Sequence, residues 1–150
     1  MIESHQVTST TVIGGAVANH IRVTLEIGSK GKQVVAVAPD WPGLARGAMT
    51  EQAAIERLLS YVPRYTPVTK LAGMQAAFAT ITGVDVIERY PGTGSTDFWG
   101  ISFAFSSIDQ QAMSDDALER TLTLLRRHTA FHTLDHAWEM EDRDLTAQPA

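Results

Sequence analysis

HIRVTLEIGSKGKQVVAVAPDWPG, from His20 to Gly43, is the stretch on which the fold turns. From His20 to Ile27 apolar and polar residues alternate, the period-two pattern of a strand with one buried face. Gly28-Ser29-Lys30-Gly31 supplies turn residues, and the valine-rich run from Lys32 to Ala38 predicts a second strand. So short a connection predicts an antiparallel hairpin. Asp40, Trp41, Pro42 and Gly43 then predict a structural turn, because proline removes a strand donor and glycine tolerates unusual backbone angles. Leu44 to Gly47 leaves room for a brief third strand.

Downstream, Thr50 with Glu51 and Gln52 behind it marks a helix start, and Ala53, Ala54, Leu58, Leu59 and Val62 recur at helical spacing. That helix is expected to stop before Pro63, with a second short helical stretch near Val68 to Thr80 interrupted by Gly73. Val84 to Tyr90 reads as a last strand, ended by Pro91-Gly92. Gly92 to Thr96 reads as a turn, since no P-loop lysine follows it. Phe98, Trp99, Phe103 and Phe105 lie in a long connector and are expected to pack over the sheet. Ser114-Asp115-Asp116 caps a final helix running to about Arg143. The expected class is α+β: a small antiparallel sheet with one or two packed helices, in the order β-β-β-α-β, plus a long C-terminal helix. The expected organisation is an arm over 1–19, a module over 20–90, a connector over 91–113 and a helix with a short tail over 114–150.

Bulk composition narrows the function classes. With 44% hydrophobic and 19% charged residues, the 150-residue chain has the balance of a globular domain. Its 17 acidic residues against 12 Lys and Arg give a net charge of -5, a poor footprint for phosphate backbones. Arg126-Arg127 is the one adjacent basic pair, so no nucleic acid is expected. The absence of cysteine excludes disulfides, thiolate metal sites and cysteine nucleophiles. No apolar run reaches the roughly 18 residues a membrane helix needs, and MIESHQVTSTTVIGGAVANH lacks the basic start of a signal peptide. The expected compartment is the cytoplasm, with no membrane partner.

VVAVAPDWPGLARGAMTEQAAIERLLSYV, from Val34 to Val62, combines strands, an acidic residue before Pro-Gly, a glycine and an acidic-capped helix. This pattern resembles the HicB-like antitoxin domain over about residues 20–90. The resemblance implies a β-β-β-α-β scaffold, and its family members neutralise a small RNase toxin and often carry a DNA-binding tail. No basic or helix-turn-helix stretch follows Tyr90, so the resemblance is carried over as a scaffold only.

The final helix carries a second pattern. His128, His132 and His136 stand four apart and share one helical face. Two imidazoles one turn apart can grip one ion, with Asp135 or Glu139 available as an acceptor that fixes a tautomer. A further ligand would come from His5, His20 or a second copy. The same rings could also form a polar interface stripe, or a contact that titrates near neutral pH. RRHTAFHTLDHAWEMEDR, from Arg126 to Arg143, resembles the last helix of the DinB-like metal-binding bundles. The resemblance implies His132 and His136 as paired ligands to a divalent metal of the Zn, Ni or Fe class, and some of the family are thiol-dependent transferases. Most of such a bundle is missing, because only one helix fits after Met113.

On a helical wheel Leu118, Leu122 and Leu125 form one apolar stripe, whereas Phe131, Leu134 and Trp138 form another on the far side. A helix with two apolar faces predicts a dimer helix and a homo-oligomer. The expected function is an oligomerising or protein-binding module without catalysis. The alternative is a metal-binding protein or transferase-like enzyme whose site is completed across a dimer, with no catalytic residue assigned beyond Glu139 as a candidate base.

Overall fold

A computed structural model describes residues 12–13, 16–17 and 19–140, the side chains of 12–17, 138 and 139 excepted. The rest of the expected arm, with His5, lies outside the described residues, as do the tail after 140 and the side chains of Trp138 and Glu139. β1 (Val12–Ile13) and β2 (Ala16–Val17) pair antiparallel. They are followed by β3 (Asn19–Ile27), β4 (Val34–Val37), β5 (Ala45–Ala48), α1 (Glu51–Leu71), α2 (Gln75–Phe78) and β6 (Ile81–Pro91). α3 (Gly94–Trp99) and α4 (Asp115–Met140) complete the elements of the described residues.

The fold is α+β, and its four-stranded sheet has the order β5-β4-β3-β6. The hairpin forms as expected, β3 and β4 pairing antiparallel with Leu25 opposite Ala36. The expectation of an all-antiparallel sheet is corrected, because β6 lies parallel to β3. The cause is the crossover. The chain leaves β5 at one edge, and α1, 21 residues and about 30 Å long at 1.5 Å per residue, carries it across the core face. It re-enters on the far side of β3 in the same direction.

α1 also corrects the expected stop, continuing through Pro63 and Pro67. A proline inside a helix forfeits one backbone bond and usually kinks or ends it. Here both prolines lie on the exposed face, where water can take the lost bonds. The opposite face buries Leu58, Tyr61, Tyr65, Val68 and Thr69, so tertiary packing holds the helix together. Gly73, at φ +72, makes the turn that follows.

The sheet has two unlike faces. Ile21, Val23 and Leu25 point into the main core with Val34, Ala36, Leu58, Tyr65, Val68 and Phe78. Thr24 and Glu26, from the other phase of the same strand, are equally buried on the back. The Asp40–Gly43 turn is locked at each position. Arg22 grips the Asp40 carboxylate with two bonds of 2.8 and 2.6 Å. Trp41 packs edge-on to Phe78, and the Tyr65 hydroxyl donates to the Pro42 carbonyl at 2.7 Å. Gly43 sits at φ +88, with the His128 ring where a Cβ would stand.

Two further expectations are corrected. Gly92 to Thr96 is the start of α3 rather than a plain turn, because Thr93 and Thr96 satisfy each other's amides in a capping box. α4 packs through neither predicted stripe alone: Leu124, His128, Phe131 and Asp135, at helical spacing between the two, face the body of the protein. Of the predicted dimer-helix residues, Phe131 joins the core, whereas Leu118, Leu122, Leu125 and Leu134 are exposed. Among the described residues no helix is long and apolar enough to cross a membrane.

Candidate functional site

At the α1–α4 junction, Asp135 is buried and accepts from the Tyr61 hydroxyl and from Arg64 at 2.5 Å. The Arg46 guanidinium lies 3.2 Å over the Tyr61 ring, a cation–π contact. Burial, reinforced by the bond to Asp135, pushes the Tyr61 hydroxyl up to about 12, so it remains a neutral donor. Asp135 is therefore no acceptor for a histidine ligand, correcting the expected role. It points inward from the packed face, while His132 and His136 are on the exposed one.

The three histidines run as a ladder along α4, with ring centroids 5.3 Å apart from His128 to His132 and 4.2 Å from His132 to His136. His128 is half-buried, its ring tilted against Tyr65 at 5.9 Å between centroids. Burial, then the neighbouring His132 and Arg46, lowers its pKa, which leaves the ring neutral at pH 7. His132 and His136 turn their Nε2 atoms toward each other, 2.9 Å apart. Nitrogens held at 2.0–2.1 Å from one ion at right angles would stand about 3 Å apart, so this spacing suits two adjacent ligands of one metal. Among the described residues no group of three His, Cys, Asp or Glu could hold a metal ion. His20 pairs instead with Asp85 at 2.9 Å.

The back of the sheet holds what sequence reasoning missed. Glu26 is 0% exposed, and its carboxylate accepts five hydrogen bonds. Donors are the hydroxyls of Thr96 (2.6 Å), Ser102 (2.5 Å) and Tyr90 (3.2 Å) and the amides of Phe103 (2.9 Å) and Ala104 (3.2 Å). Burial alone would raise its pKa, but the hydroxyls of Ser102 and Thr96 and the two amides outweigh it and hold the pKa below its ordinary value. Next to Thr96 on α3, Asp97 accepts from the amides of Lys30, Lys32 and Gln33, tying the helix to the β3–β4 hairpin.

These two carboxylates fix the connector inside out. Ser102 and Ala104 turn toward Glu26, and Ser106 is buried on a bond to Asp109. Ile101, Phe103 and Phe105, on the alternate phase, are 55%, 46% and 78% exposed, and Phe98 and Trp99 of α3 are exposed as well. The expected packing of these aromatics over the sheet is thus overturned, for a definite reason. The back face of β3 offers a carboxylate, which draws hydroxyls and amides rather than rings. The period-two alternation ISFAFS over 101–106, matched to Thr24 and Glu26 on the polar phase of β3, was the available signal.

A cleft of about 590 Å³ lies near β3 and α4, lined in part by His20, Arg22, Asp40, Trp41 and Arg120. Its charged groups serve one another: Arg22 pairs with Asp40, and Arg120 donates to the Asp40 carbonyl and covers the Trp41 ring. No protein-family model, curated protein or solved structure matches this chain.

Proposed function

We propose that the chain is a HicB-like, non-catalytic module that acts by binding protein. The element order β3-β4-β5-α1-α2-β6, with the acidic Pro-Gly turn before β5, supports the HicB-like reading. One observation carries the function: a connector that bonds to Glu26 through the Ser102 hydroxyl and the Phe103 and Ala104 amides while its aromatic side chains stand exposed. Large apolar side chains exposed along one short segment of a folded domain point to a binding site, and aromatic residues are enriched at such interfaces. With a net charge of -5, the matching ligand is an apolar protein segment rather than a polyanion.

The test pans a phage-displayed random-peptide library on the wild type and on a Phe103→Ser, Phe105→Ser variant. Apolar peptides selected on the wild type should bind the variant at least tenfold more weakly. The variant's melting temperature should stay within about 2 °C, since exposed side chains contribute little to stability. Equal peptide binding to both proteins, or no selected peptide, would overturn the reading.

A second reading rests on the 2.9 Å approach of the His132 and His136 Nε2 atoms. It makes the outer face of α4 a two-histidine site for a divalent metal of the Zn, Ni or Fe class, with the DinB-like pairing and without its third histidine. Calorimetric titration with Ni²⁺ should give one site per chain that His132→Ala weakens at least tenfold. Unchanged binding in the variant rejects it.

A further inference from the structure

The exposed side of α4 carries its own recognition pattern. Leu118, Leu122 and Leu125 are 47%, 41% and 44% exposed, while Leu124 between them is fully buried against the core. The three leucines recur at i, i+4 and i+7, one narrow helical seam of the kind that meets another helix. A shallow groove runs along it, lined by Asp115, Leu118, Glu119, Leu122, Thr123 and Arg126. Its charge is polarised. Asp115 and Glu119 stand on the N-terminal side of Leu122, and Arg126 stands on the C-terminal side along the same flank.

We infer that α4 pairs antiparallel with α4 of a second copy, about a two-fold axis beside Leu122. A two-fold contact uses the same patch twice, so the patch must complement itself when reversed. Reversal about this point sets Leu118 against Leu125 of the other copy and the two Leu122 side chains beside each other. It also brings Arg126 between Asp115 and Glu119 of the other copy, once on each side of the axis. In a parallel two-fold pair each flank faces the opposite flank of the other copy, so these three charges would not meet their counterparts at all. The polarity of the charges therefore selects the antiparallel pairing. It deepens the protein-binding reading by naming a partner for a surface separate from the aromatic connector.

The pairing has a consequence for the histidines. His132 lies about ten residues beyond the axis, so at 1.5 Å per residue the two copies' histidine pairs end up about 30 Å apart. A metal held by one pair is not completed by the pair of the other copy.

Sedimentation equilibrium of the full chain tests the inference. The wild type should show a reversible monomer–dimer equilibrium centred on the order of 10 μM, as a small seam allows. Leu122→Glu should weaken it at least tenfold, with an unchanged far-ultraviolet circular dichroism spectrum. Arg126→Glu should weaken it as well, and Arg126→Glu combined with Glu119→Arg should restore it, which a merely structural effect of either change would not do. A wild type monomeric at 200 μM, or failure of the charge reversal to restore pairing, overturns the inference. Phe103→Ser with Phe105→Ser should leave the dimer intact, and Leu122→Glu should leave peptide binding intact, so failure of one proposal is distinguishable from failure of the other.

Discussion

Replacing Glu26 with alanine is expected to lower the unfolding free energy by about 3–5 kcal/mol and to release the connector from the sheet. The carboxylate is the common acceptor for Thr96, Ser102, Tyr90 and the amides of Phe103 and Ala104. Its removal leaves five donors without their acceptor, and the hydroxyls of Thr96 and Tyr90 are buried. Each stranded donor costs about 1–3 kcal/mol, reduced wherever the loop can open to solvent. Glu26→Gln keeps the volume but places an amide donor among donors, so it should recover only part of the loss. Urea denaturation measures the energy, and chymotryptic cleavage after Phe103 or Phe105 reports the release.

Acid should act on the wild type in the same sense. A carboxylate whose folded pKa lies below its unfolded one contributes stability that is complete above the unfolded value. That stability disappears as the pH falls through the folded value. Stability attributable to Glu26 should therefore be level above about pH 4.3, the ordinary glutamate value, and fall steadily below it. Glu26→Gln should flatten that part of the curve.

Asp135→Ala is the second large effect, an expected loss of about 3 kcal/mol together with fraying of α4. Asp135 is 4% exposed and receives both Tyr61 and Arg64. Without it a buried hydroxyl and a half-buried guanidinium face an empty acceptor site across the α1–α4 junction. The N-terminal part of α4 keeps Leu124 and the Arg120 bond to the Asp40 carbonyl, so loosening should begin at the C-terminal part. Residue-resolved hydrogen exchange across 125–135 should accelerate before global unfolding. Unchanged exchange and unchanged stability would mean that the helix is held by its apolar contacts alone.

The front of the fold was legible because its signals are local. The alternation over His20–Ile27, the hairpin residues Gly28–Gly31 and the Thr50 cap each act within a few residues, and each forms the predicted element. The direction of β6 was not legible, since it depends on where α1 sets the chain down. Pro63 and Pro67 misled for a related reason: their penalty is local, whereas the burial of Tyr61, Tyr65 and Val68 that overcomes it is tertiary.

The candidate sites divide in the same way. Helical spacing placed His128, His132 and His136 on one side of α4, and their rings do meet in turn. It could not show that His128 would be taken up by Tyr65 and the Gly43 turn, nor that Asp135 would turn to α1. The wheel displayed two apolar stripes correctly, but the seam that packs runs between them. The exposed aromatics were misread because hydrophobicity alone sends rings inward. Only the pairing of Glu26 with the serine phase of 101–106 reverses that preference.

Amide hydrogen exchange at single-residue resolution in the connector tests the central claim, that a buried carboxylate turns this segment inside out. The Phe103 and Ala104 amides should exchange at least a hundredfold more slowly than the Phe105 amide in the wild type, and all three should exchange alike in Glu26→Ala. Fast exchange at Phe103 and Ala104 in the wild type would contradict the account, because Glu26 would then not be holding the aromatic surface outward.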